Sequence, residues 1–228
     1  TPGGVTRFDG RVWSSLDIRD GLIGNQVTGI AESPRGVFWL ATVSGVTRYE
    51  PRKTELAAPK LSVQIDREHT NLTALPSVLQ GRLVTFKCNA VDTKTRAEVR
   101  RYRWRVLEGR ASAAQFVHLA NSNQPRKNAG IAKEGTDSSR SLAADSGIRV
   151  AGIAGLGGVS PHSVTEWLPA SNDTQFGWRA EKAGTFTVAV QYIDRDLNYS
   201  APALATLTVA PPWYLNAFIT MPSGGAIL

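Results

Sequence analysis

Reactive side chains are scarce in these 228 residues: there is one cysteine, one methionine and three histidines. Cys88 alone excludes an internal disulfide framework, so packing has to hold the fold, and one cysteine leaves the redox compartment open. His69, His118 and His162 stand far apart, without HExxH or Cys-His spacing, so metal binding and imidazole catalysis lack a pattern. No apolar run reaches the roughly 17 to 25 residues of a membrane-crossing helix, and no helical apolar period is sustained. The chain opens on Thr1 without a signal peptide, in the middle of a patterned segment, and reads as a piece of something longer. Hydrophobic residues make up 42 % of it, enough for a real core, which excludes disorder as the overall class.

A formal charge of +7 invites a nucleic-acid or membrane-surface reading. Most of that charge is local. The window Lys94–Arg110, "KTRAEVRRYRWRVLEGR", holds seven basic residues against Glu98 and Glu108 and so carries +5 of the +7.

The chain writes one phrase twice: "GVTRFDG" from Gly4 and "GVTRYEP" from Gly45, 41 positions apart. Periods of about 40 to 45 residues with recurring Gly and Trp mark repeats whose strands cannot bury their faces alone. Between the copies, "NQVTGIAES", "VFWLAT" and "VTRYE" are three strands separated by the breaks "PRG" and "SG". The whole stretch "DGLIGNQVTGIAESPRGVFWLATVSGVTRYE" resembles the two-component regulator propeller repeat, with Ile23 where the pattern favours Pro and Val46 where it favours Leu. The resemblance implies one β-propeller blade over residues 1–51, plus a strand of the blade before it, and further blades upstream.

After a linker at 52–60 the texture changes to segments alternating at period two: "LSVQID", "RLVTFKCNAVD", "RYRWRVLEG", "GTFTVAVQYID" and "ALATLTVAPP". Alternation places Val84, Phe86, Cys88 and Ala90 on one face, Tyr102, Trp104 and Val106 on another, and Phe186, Val188, Val190 and Tyr192 on a third. The fold class expected is all-β, an antiparallel sandwich over 61–212 behind the blade. This half resembles the three-Y domain (Y_Y_Y), carried by "YRWRVLEG", "AGTFTVAVQYIDRDLNYSAPA" and "PPWYLN". Of the three tyrosines behind that name, Tyr102 is present, and Trp178 and Phe186 stand at the other two places. The resemblance implies an immunoglobulin-like sandwich on the periplasmic or extracellular side of a bacterial inner-membrane receptor. It further implies a homodimer formed through this domain.

Residues 110–165 fall outside both resemblances. They are rich in Ser, Ala, Gly and Asn without a sustained period, and are expected to form a loop insertion that is partly disordered.

Chemical motifs are weak throughout. "GIAGLGG" has its glycines in the wrong order for a dinucleotide loop and no strand–helix frame. In "DRDLNYS", Asp194, Asp196 and Asn198 have calcium-loop spacing but lack the glycine and the distal Glu, so a polar hairpin turn is expected. Cys88 shares a face with Val84 and Phe86 and packs as a small hydrophobe rather than serving as a nucleophile. No catalytic residue, metal site or cofactor is expected, and the chain is not read as an enzyme.

Two stretches remain as functional candidates. Alternation puts Arg101, Arg103 and Arg105 on one face of their strand, a ladder that could hold a polyanion, an acidic sugar or a partner's acidic strand, or else a solvated face paired to neighbouring carboxylates. Aromatics committed to the core cannot also stack on bases, which argues against nucleic acid. Then "APPWYLNAFITMPSGGAIL" leaves the last strand through Pro211 and Pro212, presents Trp213 and Tyr214 at the start of the 213–228 segment, and runs weakly apolar for 14 residues from Leu215 to Leu228. That pattern suits the opening of a membrane segment with an interfacial aromatic pair. The function expected is an extracytoplasmic sensor fragment that relays the binding of an unidentified ligand, a carbohydrate among the candidates, toward a transmembrane segment. The alternative is a carbohydrate- or adhesion-type module that uses the arginine face and the long loop.

Overall fold

The computed structural model describes residues 3–116 and 166–212. Thirteen strands and almost no helix make up this part. The hairpin β1 (Val5–Phe8) and β2 (Trp13–Leu16) is followed by a 3₁₀ turn at Ile18–Asp20 and the antiparallel meander β3 (Val27–Glu32), β4 (Phe38–Thr42) and β5 (Gly45–Tyr49). Then come β6 (Lys60–Gln64), β7 (Glu68–His69), β8 (Val78–Leu79), β9 (Leu83–Asn89), β10 (Arg101–Glu108), β11 (Gln175–Arg179), β12 (Gly184–Ile193) and β13 (Ala203–Ala210). These eight form two four-stranded sheets, ordered β11-β9-β6-β7 and β10-β12-β13-β8.

The repeated phrase has a backbone reason. Gly4 and Gly45, which open its two copies, sit at φ 92° and 139°, a region that side-chain-bearing residues avoid. A Cβ on Gly4 would come within 2.1 Å of the Leu16 carbonyl oxygen, so the hairpin closes only on glycine. Behind these turns, Leu16, Leu22 and Leu40 form a small core with Val5, Val27, Phe38 and Tyr49 against it. The outward sides stay apolar and exposed, with Phe8 stacked on Trp13 at 4.5 Å and with Ile30, Trp39 and Val46 uncovered.

The alternation assigned the inner faces of the two larger sheets. Leu61, Val63, Val84, Phe86, Cys88, Phe176 and Trp178 from one sheet share a core with Tyr102, Trp104, Val106, Val188, Val190, Tyr192, Leu207 and Val209 from the other. Trp104 stacks on Phe176 at 5.2 Å, and Trp178 meets Phe186 at 5.1 Å. Each fully buried side chain of this size contributes roughly 1.5 to 3 kcal/mol, so the two-sheet core dominates the stability.

Two features depart from the expected antiparallel sandwich. Strand β8 pairs with β13 in parallel, through Val209 with Val78 and Ala210 with Leu79; a pairing of two residues in β8 is too short for a period to reveal. Strand β12 is buried for seven residues in succession, not at every second one. Val188, Val190 and Tyr192 face the core, while Thr187, Ala189 and Gln191 on the opposite face, with Ile193 behind them, are at most 4 % exposed. A second layer covers that outer face. Thr187 Oγ1 donates to the Gly109 carbonyl at 2.8 Å and accepts from the Ala111 amide at 3.1 Å, and Ile193 packs with Val12 and Leu197.

Candidate functional site

The turn between β12 and β13, Asp194 to Tyr199, bonds both to itself and to the N-terminal strands. Asp194 closes it from within: its carboxylate accepts from the Asn198 amide at 2.7 Å and from Asn198 Nδ2 at 2.9 Å. Burial raises the pKa of that carboxyl, an effect only partly offset by the Asn198 bonds. Leu197 is held at φ 61°, left-handed for a residue with a branched side chain, and it packs on Val12 and Ile193. Such strain persists only where surrounding contacts over-determine it.

Those contacts come from the N-terminal strands. Tyr49 donates its hydroxyl to Asp196 Oδ1 at 2.5 Å, Arg7 Nη1 donates to the Asp196 carbonyl at 3.2 Å, and Ser14 Oγ donates to the Arg195 carbonyl at 2.6 Å. Tyr199 donates to Asp9 Oδ2 at 2.6 Å, and Asn198 Nδ2 donates to the Arg52 carbonyl at 2.8 Å. Burial and the acceptor carboxylates push the phenols of Tyr49 and Tyr199 well above the usual tyrosine range. Both remain donors across the physiological range.

An ion cluster makes the second attachment. Asp17 caps the 3₁₀ turn, and the Asp17 amide in turn donates to Asp20 Oδ2 at 3.1 Å, a capping box written as "DIRD". Arg96, from the segment before β10, reaches both: Nη2 lies 3.1 Å from Asp17 Oδ2 and 3.0 Å from Asp20 Oδ2, and Nε lies 3.2 Å from Asp20 Oδ1. Arg195 Nη1 lies 3.8 Å from Asp20 Oδ1. The Asp20 side chain is 2 % exposed. The Arg19 hydrogen bond, with Arg96 beside it, holds the Asp17 carboxyl down to about 2.

The arginine ladder differs from its expectation. Arg101, Arg103 and Arg105 do lie on the face away from the core, but that face is roofed over Arg103 and Arg105, which are each only 5 % exposed, while Arg101 is half-buried. Arg103 lies between two rings, its guanidinium carbon 4.5 Å from the Trp167 ring centre and 4.4 Å from that of Tyr199. Its Nε and Nη2 donate to Gln191 Oε1 at 2.9 and 2.6 Å, and Gln191 Nε2 donates onward to the Ser200 carbonyl at 2.9 Å. Burial lowers the Arg103 pKa to about 10, which leaves it a cation at neutral pH. Arg105 lies 6.0 Å from the ring centre of Phe116, which in turn meets Trp167 at 6.0 Å. Alternation decides which face a side chain takes but not whether another segment covers that face.

The other candidates are placed as follows. Asp194, Asp196 and Asn198 are engaged by their own turn and by Tyr49, and no cluster of three metal-ligating side chains occurs among the described residues. Cys88 is buried, and burial pushes its thiol up to about 12. Pro211 and Pro212 follow β13 directly; Trp213 and Tyr214 lie outside the described residues, as does the 117–165 part of the insertion. No helix among the described residues is long and apolar enough to cross a membrane. Sequence reasoning passed over Asp9, Asp17, Asp20, Tyr49, Arg96, Arg195 and Tyr199. Only the capping box carried a local signal; partners such as Tyr199 and Asp9 are 190 positions apart.

No family model matches the chain, and no curated protein matches it. Among solved structures it is similar to the extracellular domain of a B. thetaiotaomicron protein described as a hybrid two-component system, at 10 % identity and a TM-score of 0.41. It is also similar to the extracellular domain of one described as a one-component system from the same organism, at 11 % identity and a TM-score of 0.34. The matches cover 88 % and 93 % of this chain but 22 % and 23 % of those chains, so it spans under a quarter of either.

Proposed function

We propose that this chain is the membrane-proximal part of an extracytoplasmic bacterial sensor, in which the N-terminal strands are the end of a propeller and the two-sheet unit is an immunoglobulin-like three-Y domain. The repeat "GVTR(F/Y)" and the segments "YRWRVLEG" and "DRDLNYSAPA" support that reading. One geometric observation carries the relay. The same hairpin that grips the N-terminal strands through Asp194–Tyr199 ends, at the far end of β13, on Pro211 and Pro212. Eight residues of strand span about 26 Å; β13 is paired with β12 along nearly its whole length and with β8 at Val209 and Ala210, next to the exit, which ties its movement to that of the sheet.

A shift of the N-terminal unit is therefore delivered along β13 to the exit, where two proline rings fixing φ near −65° keep the path stiff. Trp213 and Tyr214 then set the depth of entry at the membrane boundary, and pairing of two sandwiches brings two such exits together. The ligand is bound upstream. No observation favours the alternative binding module, whose arginine face is roofed by Trp167, Tyr199 and Phe116. The test is Pro211→Gly with Pro212→Gly in the intact receptor: ligand affinity and sandwich stability stay within about twofold, and ligand-dependent output is lost. Output of normal strength through the glycines would defeat the relay.

A further inference from the structure

We propose that Arg103 is a positioning residue that couples the chain at Trp167 to the N-terminal hairpin, so that displacing Trp167 loosens the hold of Tyr199 on Asp9. This coupling is a property of the fold and does not depend on the sensor reading.

The path is continuous and short. Trp167 covers one face of the Arg103 guanidinium and Tyr199 covers the other, at 4.5 and 4.4 Å. The edge of the guanidinium is fixed by two bonds to Gln191 Oε1, so the cation cannot follow one ring without leaving the other. Gln191 is itself anchored on Ser200, the residue after Tyr199. The far end of the Tyr199 ring donates to Asp9 Oδ2, and Asp9 Oδ1 accepts from the amides of Arg11 and Val12 at 2.8 Å each, shaping the loop that joins β1 to β2. Trp167 contacts Phe116, so both ends of the chain bordering residues 117–165 rest on this stack.

Removing one ring exposes a guanidinium face to water. Cation–π attraction weakens when its partners are hydrated, and the remaining ring then loses part of its reason to stay in place. Coupling between two sites is reciprocal and commonly falls between about 5- and 150-fold. A flat cation shared by two rings is a two-sided contact, the kind of shared partner for which effects fail to add.

The experiment is a double-mutant cycle on the 228-residue chain, read by amide hydrogen exchange at Val5–Phe8 and Trp13–Leu16. Trp167→Leu is expected to speed exchange there at least fivefold, with Trp167→Tyr, which keeps a ring over the cation, within twofold of the parent. Tyr199→Phe keeps the second ring but releases Asp9; in that background Trp167→Leu adds less than twofold. Equal acceleration in both backgrounds, no acceleration, or the same acceleration at Val84–Cys88 overturns the coupling. If Trp167→Leu does not fold, Arg103→Lys, which keeps the charge but cannot lie flat between two rings, takes its place in the cycle with the same thresholds.

Discussion

Replacing Trp104 in two ways separates what its ring fills from what its N–H costs. The side chain is 3 % exposed, stacks on Phe176 at 5.2 Å with a 17° tilt, and meets Phe86 at 6.3 Å across the inter-sheet space. Its Nε1 is buried without a hydrogen-bond partner among the described residues. Trp104→Ala removes the whole ring and leaves a cavity between sheets that cannot close, so a cost of about 3 to 5 kcal/mol is expected. Trp104→Phe removes less volume and also removes the orphaned donor, whose burial unpaired costs about 1 to 3 kcal/mol. Lost packing and recovered desolvation offset each other, and the net cost of the phenylalanine should be below about 1.5 kcal/mol. Urea unfolding followed by circular dichroism reads both values, provided the slope with denaturant stays constant. A Trp104→Ala cost below about 1 kcal/mol would mean that the face is not interior. A Trp104→Phe cost close to that of alanine would mean that the indole N–H is satisfied, and the offset argument would fail.

The pKa shifts set the remaining expectations. Asp17 is depressed to about 2 from an ordinary value near 3.8, so its contribution is complete above about pH 4 and is lost as the pH falls from there toward 2. Protection of the β1–β2 amides, taken relative to their intrinsic exchange at each pH, should fall in that window, and Asp17→Asn should remove the dependence. Cys88 is raised to about 12 from an ordinary value near 9, so the stability linked to its neutral thiol is complete below pH 9 and declines as the pH rises from 9 to 12. The folded chain at pH 8 should therefore resist iodoacetamide and react only after denaturation; rapid labelling of the native chain would contradict its burial.

Local chemistry was enough to read the two-sheet core. Alternation at period two grouped Val84, Phe86 and Cys88 on one face and Tyr102, Trp104 and Val106 on another, because a strand side chain has only two directions available and residue type chooses between them; the structure then brings both groups into one core. The repeat was legible for a similar reason, since a left-handed turn accepts little besides glycine, and that demand is written at Gly4 and Gly45. The short strands β7 and β8 were invisible, because two residues carry no period and exist only where β6 and β13 offer an edge. The fate of the arginines was likewise undecided in the strand itself: Arg103 would be solvated if Trp167 and Tyr199 lay elsewhere. Likewise, "DRDLNYS" is a polar turn by composition, and only the arrival of Arg7, Ser14 and Tyr49 from more than 140 positions away makes it a clamp. Sequence determines which face, which turn and which residues can enter a core, since these depend on neighbours a few bonds away. Tertiary structure alone decides what covers an outer face and which distant groups meet, because hydrogen bonds and cation–π contacts between remote segments have no period to announce them.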